Sequence, residues 1–415
     1  MSAVAPAAAA RPAFLSNATQ TLVTRAALLA GGVAANIFVA RALGPAGRGY
    51  YAVALAVTGL GIQLASLGLH ASNTYTAARN PARIPALLAD SVRVAFLGGV
   101  GAFCVLVFFL LRPAVAPLYG SVAVIAMAAV PVGVLALLLQ SLLLGAGEVR
   151  AYNTVQGATG LAGVATVGAW VLAGWTSVPL LLITSMAITA AGAGWAFVRI
   201  RRVATPPAAP RSTLLRRSLR YGSKAYAAGI LALLVQRADI FILTRMVGAQ
   251  PIGLYASAVS VALVVSVIPS AMGTVLFPQL SALRDTRAQW RLTWRVFGLT
   301  AMATAVPVAF LWAAADGVVG FLFGAEFAAA AGPLRWLLPG VFLLSVNSVL
   351  MNRFASMGMP AITVVSPAVA LVAGVALHLA LIPRHGIVGA AMGSSAASAL
   401  MLLMSLGYIA TRRRR

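Results

Sequence analysis

Four consecutive residues hold the densest chemistry in this chain: Gln236-Arg237-Ala238-Asp239, inside an apolar run from 222 to 246. A charge inside such a run is costly in hydrocarbon and needs a polar interior, a partner or the nearer interface. Arg237 and Asp239 are about 200° apart around a helix, so they point to different sides and do not pair with each other. For Arg237 two readings stand: contact with an anionic ligand in a hydrated cavity, or snorkelling to the outer headgroups. Asp239 is either a proton or cation site or an ion pair fastening its helix to a neighbour.

Other polar residues within apolar runs are Arg25, Asn36, Gln63, Gln140, Asn347, Asn352 and His378. Arg25 lies a few residues into its run and either snorkels or faces a cavity. Amides there are expected to bond helix to helix. His378 is isolated, and a packing histidine is the expectation. The candidate substrate contacts are Arg237, Arg25, Asn36, Gln140, Gln236 and Asn347, and the candidate ion-coupling residue is Asp239.

Catalytic constellations are missing. The six acidic residues are Asp90, Glu148, Asp239, Asp285, Asp316 and Glu326, and only Asp239 falls within an apolar run. The sequence has no paired carboxylates for hydrolysis and no Walker A loop for ATP. Its three histidines are scattered, and Cys104 is its one cysteine. The expectation is a protein that is not an enzyme and uses no cofactor or metal.

The elements that must position these residues follow from composition. Of 415 residues, 61% are hydrophobic and 9% charged, and mean hydropathy is +0.96. An ordinary soluble domain carries roughly 25% charged residues, so these figures predict an all-α polytopic membrane protein. About 20 apolar residues span a bilayer. Runs broken by Gly, Pro and Arg clusters give twelve spans: 21–40, 50–69, 92–111, 121–144, 154–174, 178–198, 222–246, 254–276, 292–312, 333–355, 361–382 and 387–410. Pro278 is expected to end the eighth. Residues 1–20 lack the basic start and compact apolar core of a cleavable signal peptide.

Thirty Lys+Arg against six Asp+Glu give a net charge of +24. Because the cations sit between apolar runs, they report topology, not nucleic acid. With a cytoplasmic N-terminus, 23 of them fall in inside segments and six outside, Arg41 and Arg48 among the six. Both termini are therefore expected in the cytoplasm. The predicted organisation is a tail 1–20, a six-helix bundle 21–198, a basic linker 199–221, a six-helix bundle 222–410 and a basic tail 411–415.

The two halves echo each other. ARALGPAGRGYYAVALAV at 40–57 aligns without gaps on TRMVGAQPIGLYASAVSV at 244–261. The match shares Arg41/Arg245, Gly44/Gly248, Gly49/Gly253 and Tyr51/Tyr255. LAGVA at 161–165 weakly echoes VAGVA at 372–376. Six spans per half is an even number, so the halves run in the same direction. A pseudo-two-fold axis along the membrane normal, with a binding site at the interface, is the expectation.

Five motifs in order, ARALGPAGRGYYAVA, RADIFILTRMVGAQPIGLYASA, VLFPQLSAL, FGAEFAAAAGPLRWLLPG and LIPRHGIVGAA, resemble the polysaccharide/oligosaccharide flippases. These belong to the multidrug/oligosaccharidyl-lipid/polysaccharide exporter superfamily, and the resemblance runs from about residue 21 to 410. It implies two six-helix bundles around a central cavity and alternating access driven by an ion gradient. It implies a glycan on a polyprenyl diphosphate as substrate, a bacterial cytoplasmic membrane, and glycosyltransferases or a polymerase as partners, with no nucleic acid. The N-terminal half has no acidic residue within a span, which argues against a cation-coupled multidrug antiporter. Lipid II flippases carry several cavity arginines. Only Arg25 and Arg237 are equivalents here, so lipid II ranks below other lipid-linked glycans.

Overall fold

The computed structural model describes residues 10–110, 120–203, 214–283, 285–358 and 360–413, with side chains described from Gly31 onward and with gaps near 102–110, 214–232 and 271–282. Among the described residues all regular structure is helical. The helices are α1 (Ala10–Ala65), α2 (Leu69–Arg79), α3 (Ile84–Leu110), α4 (Gly120–Gly145), α5 (Val149–Leu172), α6 (Val178–Val203) and α7 (Leu214–Met246). They continue with α8 (Ala249–Ala262), α9 (Val267–Ala282), α10 (Thr286–Ala313), α11 (Ala315–Phe323), α12 (Ala331–Ser356) and α13 (Ile362–Arg413). Among the described residues eight helical stretches are long and apolar enough to cross a membrane, or nine counting the pair Gly31–Ala65 and Leu69–Arg79, bent by 50°.

Two of the long helices are hairpins in which the chain folds back on itself. In α1, Gly44 has φ 64° and ψ 178°; in α13, Gly386 has φ 56° and ψ −134°. Both are left-handed conformations that glycine adopts without a Cβ penalty. Twelve residues of uninterrupted helix would separate Asn36 from Arg48 by about 18 Å, yet their side chains bond at 2.7 Å. At Gly386, a Cβ on Gly389 would overlap the Leu381 carbonyl. With these two breaks, with α8 and α9 joined through a 3-10 turn at Leu263–Ser266, and with the short α2 and α11 set aside, twelve of the fourteen described helical segments match the twelve expected spans in order. One terminus differs: α9 runs through Pro278 and ends at Ala282, and the irregularity of that span lies earlier, at Leu263–Ser266.

Helices α1 to α6 pack among themselves, with α4 against α1, α3 and α6, and α5 against α1. In the second half α12 packs on α13, α10 and α9, and α13 on α7. The halves meet chiefly where α1 crosses α8, and again where α2 meets α7. The largest apolar core is shared between the halves near the Gly44 and Gly248 turns and includes Val53, Val57, Leu243, Ile252, Tyr255 and Phe327.

The α1–α8 crossing displays the internal symmetry. A Cβ on Gly49 would overlap the Ala249 carbonyl, and a Cβ on Gly253 would overlap the Pro45 carbonyl. Gly49 and Gly253 occupy matching positions in the sequence repeat, and so do Pro45 and Ala249. Such reciprocity is what a two-fold relation produces, and only glycine lets the two backbones come this close.

Candidate functional site

Below the crossing lies a cavity of about 690 Å³ between the halves, lined by α1, α7, α8 and the turn that follows α8. Its polar side chains are Asn36, Arg48, Arg237 and Ser260, and its lining contains no carboxylate. Arg48 is only 4% exposed. One guanidinium nitrogen donates to Asn36 Oδ1 at 2.7 Å and to Ser260 Oγ at 3.1 Å. The group lies 5.9 Å from the Tyr51 ring centre, and its Nε has no hydrogen-bond partner among the described residues. Asn36 belongs to the first half and Ser260 to the second, so Arg48 ties the halves together at the cavity wall. No described carboxylate pairs with Arg48 or Arg237. Two cations without a described carboxylate partner thus face one cavity, an arrangement chemically suited to an anion.

Each half also holds a cavity of its own. In the second half it has about 140 Å³ and is lined by Gln236, Arg237, Asp239, His378, Ser394, Ser395 and apolar neighbours. Arg237 lines both this cavity and the central one. Asp239 is buried and accepts from Tyr255 Oη at 2.5 Å, the Ile240 amide at 2.7 Å and Ser394 Oγ at 3.4 Å. It therefore turns away from Arg237, as the helix geometry requires, and hydrogen bonds surround it where an ion pair was one expectation. The cavity of the first half has about 240 Å³ and is lined by Asn36, Tyr51, Thr159, Thr166, Thr184 and Ser185 among others, with no charged group.

Of the candidate substrate contacts, Asn36 and Arg237 come together on the central cavity and Gln236 lines the second-half cavity beside it. Gln140 is elsewhere: Gln156 Nε2 donates to its Oε1 at 3.2 Å, linking α4 to α5. Asn347 is buried in α12 and lines none of the three cavities. The Arg25 side chain lies outside the described residues. Arg48 is the residue that sequence reasoning missed, having counted it among the outside cations. Position 48 aligns with Ile252 in the repeat, an apolar residue, and that mismatch was the available signal.

A family model described as polysaccharide biosynthesis protein matches residues 38–332, a stretch that contains Arg48, Arg237 and Asp239. The chain belongs to this family. A Haloferax volcanii protein named as a low-salt glycan biosynthesis flippase is 22% identical over 233 residues, covering 55% of this chain and 48% of that protein. A Shigella flexneri protein named as an O-antigen transporter is 24% identical over 182 residues, covering 43% of each. The matched region thus spans about half the length of these relatives. Among solved structures, the lipid II flippase MurJ in an inward closed conformation superposes with a TM-score of 0.75 at 11% identity, over 95% of this chain and 87% of that one. An inward-facing multidrug resistance MATE transporter of the MOP superfamily superposes with a TM-score of 0.71 at 14% identity, over 95% and 96%. These likenesses show that this chain shares the fold of those two proteins.

Proposed function

We propose that this member of the polysaccharide biosynthesis family is a flippase that carries a glycan linked to a polyprenyl diphosphate across a bacterial cytoplasmic membrane. The observation that carries the reading is the pair Arg48 and Arg237 on a cavity without a carboxylate. A diphosphate and sugars cannot cross hydrocarbon unaided, because each unpaired polar group costs several kcal/mol there. Guanidinium groups offer paired donors to phosphate oxygens. Asn36 holds Arg48 in position, and the hydroxyl-lined first-half cavity next to it suits sugar hydroxyls. The polyprenyl tail stays in the lipid.

In this reading the bundles 21–198 and 222–410 alternate between inward and outward openings, joined by the cytoplasmic linker 199–221. Both termini are cytoplasmic, and the glycine crossing closes the outer end. Asp239 couples transport to an ion gradient. The chain does no covalent chemistry, and glycosyltransferases or a polymerase of the same pathway supply and consume its substrate. A second reading, transport of lipid II, gains support from Arg48, which adds a cavity arginine to those expected.

Proteoliposomes holding a fluorescent lipid-linked oligosaccharide test the proposal. An impermeant reagent scores how much reaches the outer leaflet. The wild type should translocate faster than empty vesicles, and Arg48→Ala/Arg237→Ala should not. A double variant as fast as the wild type would remove the arginine pair from the mechanism. Movement of lipid II alone would select the second reading.

A further inference from the structure

The repeat allows the two half-cavities to be compared position by position. Asp239 in the second half aligns with Ala35 in the first, and both line their own cavity. The weaker echo, LAGVA on VAGVA, puts Gly163 against Gly374, again one in each cavity. In that register His378 aligns with Val167, and Val167 lines the first-half cavity. The second half therefore has an acid and a base where the first has alanine and valine.

His378 is 4% exposed, and its Nδ1 is buried without a hydrogen-bond partner among the described residues. Gly393 leaves it room, since a Cβ there would collide with the imidazole. The lining of this cavity contains three groups that titrate or carry charge: Arg237 and Asp239 from α7 and His378 from α13. The facing part of α12 contributes only Leu337, Gly340, Val341 and Leu344, and Ser394, Ser395 and Ser398 are neutral hydroxyls. From α8, Tyr255 reaches the Asp239 carboxylate. With three donors already on that carboxylate, His378 Nδ1 is the vacant acceptor.

We propose that His378 takes up the coupling proton in this cavity, with Asp239 as its fixed counter-charge and Arg237 as the link to the substrate. The inference rests on the alternating-access reading and adds the identity of the ion and its acceptor. With His378 neutral, the Asp239 carboxylate is held, among the described residues, by hydrogen-bond donors alone, and Arg237 shares the cavity without pairing with it. With a proton on His378, the cavity gains a second cation beside Arg237, and the added positive potential favours an anionic headgroup in the central cavity that Arg237 also lines. By linkage, a bound headgroup raises the proton affinity of the cavity by the same factor.

A glycan-free measurement tests this. Spin labels replace Ala46 and Gln250, aligned exposed residues flanking the glycine crossing, in a Cys104→Ala background. The label-to-label distance is followed in nanodiscs from pH 5 to 8. The wild-type populations should shift with pH, whereas His378→Gln and Asp239→Asn should be flat or move the midpoint by at least one pH unit. Gly393→Ala, which crowds the imidazole without removing it, should also move the midpoint. A His378→Gln protein that titrates like the wild type overturns the proposal. So does a wild type that responds to sodium at constant pH and not to protons. Because no glycan is present, a protein that titrates as expected yet flips no lipid-linked glycan sinks the flippase reading alone.

Discussion

Gly49 and Gly253 back onto each other's preceding helical turn, so that each faces the carbonyl of the residue aligned with the other's neighbour, Ala249 or Pro45. Neither position has space for a methyl group. Replacing Gly49 or Gly253 by alanine should lower thermal stability by about 1–3 kcal/mol, the range for overpacking a tight contact. Helix propensity alone would have raised it by roughly 0.5–1 kcal/mol. Gly59 is the control, because a Cβ there meets nothing within 4 Å. Melting curves of Gly49→Ala, Gly253→Ala and Gly59→Ala should therefore fall on opposite sides of the wild type. Equal effects at all three sites would mean that the crossing yields at no cost.

Arg48 has two tasks, bridging the halves and presenting charge to the cavity. Arg48→Ala removes both and strands the Asn36 and Ser260 oxygens, so transport per folded molecule should fall at least tenfold, the effect of roughly 1.4 kcal/mol or more. Arg48→Lys keeps the charge but loses the planar fork, and it should restore transport only in part. Proteoliposome rates, normalised to folded protein, separate these effects from poor insertion. Full activity in the alanine variant would leave Arg48 as a structural bridge only.

The charge count makes a separate prediction about sidedness. Cysteines at Ser212 and Gln250, in a Cys104→Ala background, should react differently with an impermeant thiol reagent added to intact cells. Position 250 should be labelled and position 212 protected. The reverse pattern would invert the orientation and make the glycine crossing a cytoplasmic closure.

Much of the architecture was legible because it rests on strong signals. Runs of 20 or so apolar residues, tight Gly turns and a repeated GxxxxG-type segment give the twelve segments and the symmetry without any contact being known. The site was legible only in part. Arg237, Asn36 and Asp239 stand out because polar groups are costly in a bilayer. Gln140 stands out for the same reason, but hydrogen bonding to Gln156 satisfies it between two helices. Arg48 was lost because Gly-Pro-Ala-Gly-Arg-Gly reads as an exposed loop, whereas the turn occupies little more than Gly44 and helix resumes before Arg48. His378 reads as a packing histidine in isolation. Its unsatisfied nitrogen and its place opposite Asp239's helix depend on how α7 and α13 meet.

The ends of the central cavity are closed by contacts of unequal strength, which gives the last prediction. At the Gly44 end the halves share a large apolar core and the glycine crossing, and Arg41 donates to the Phe321 and Leu322 carbonyls near the end of α11. At the other end Tyr226 Oη donates at 2.9 Å to the carbonyl of Leu64, one of the last carbonyls of α1 that its own helix leaves free. A neutral hydrogen bond contributes about 0.5–1.5 kcal/mol net. Tyr226→Phe, which keeps the ring, should therefore shift the population open at that end by roughly two- to tenfold. Spin labels at Asn80 and Thr286, exposed residues on the first and second halves, should report longer distances in the variant. The Ala46–Gln250 pair should report none, because the crossing does not depend on Tyr226. Unchanged distances at Asn80–Thr286 would mean that α2 on α7 holds this end closed without the hydroxyl.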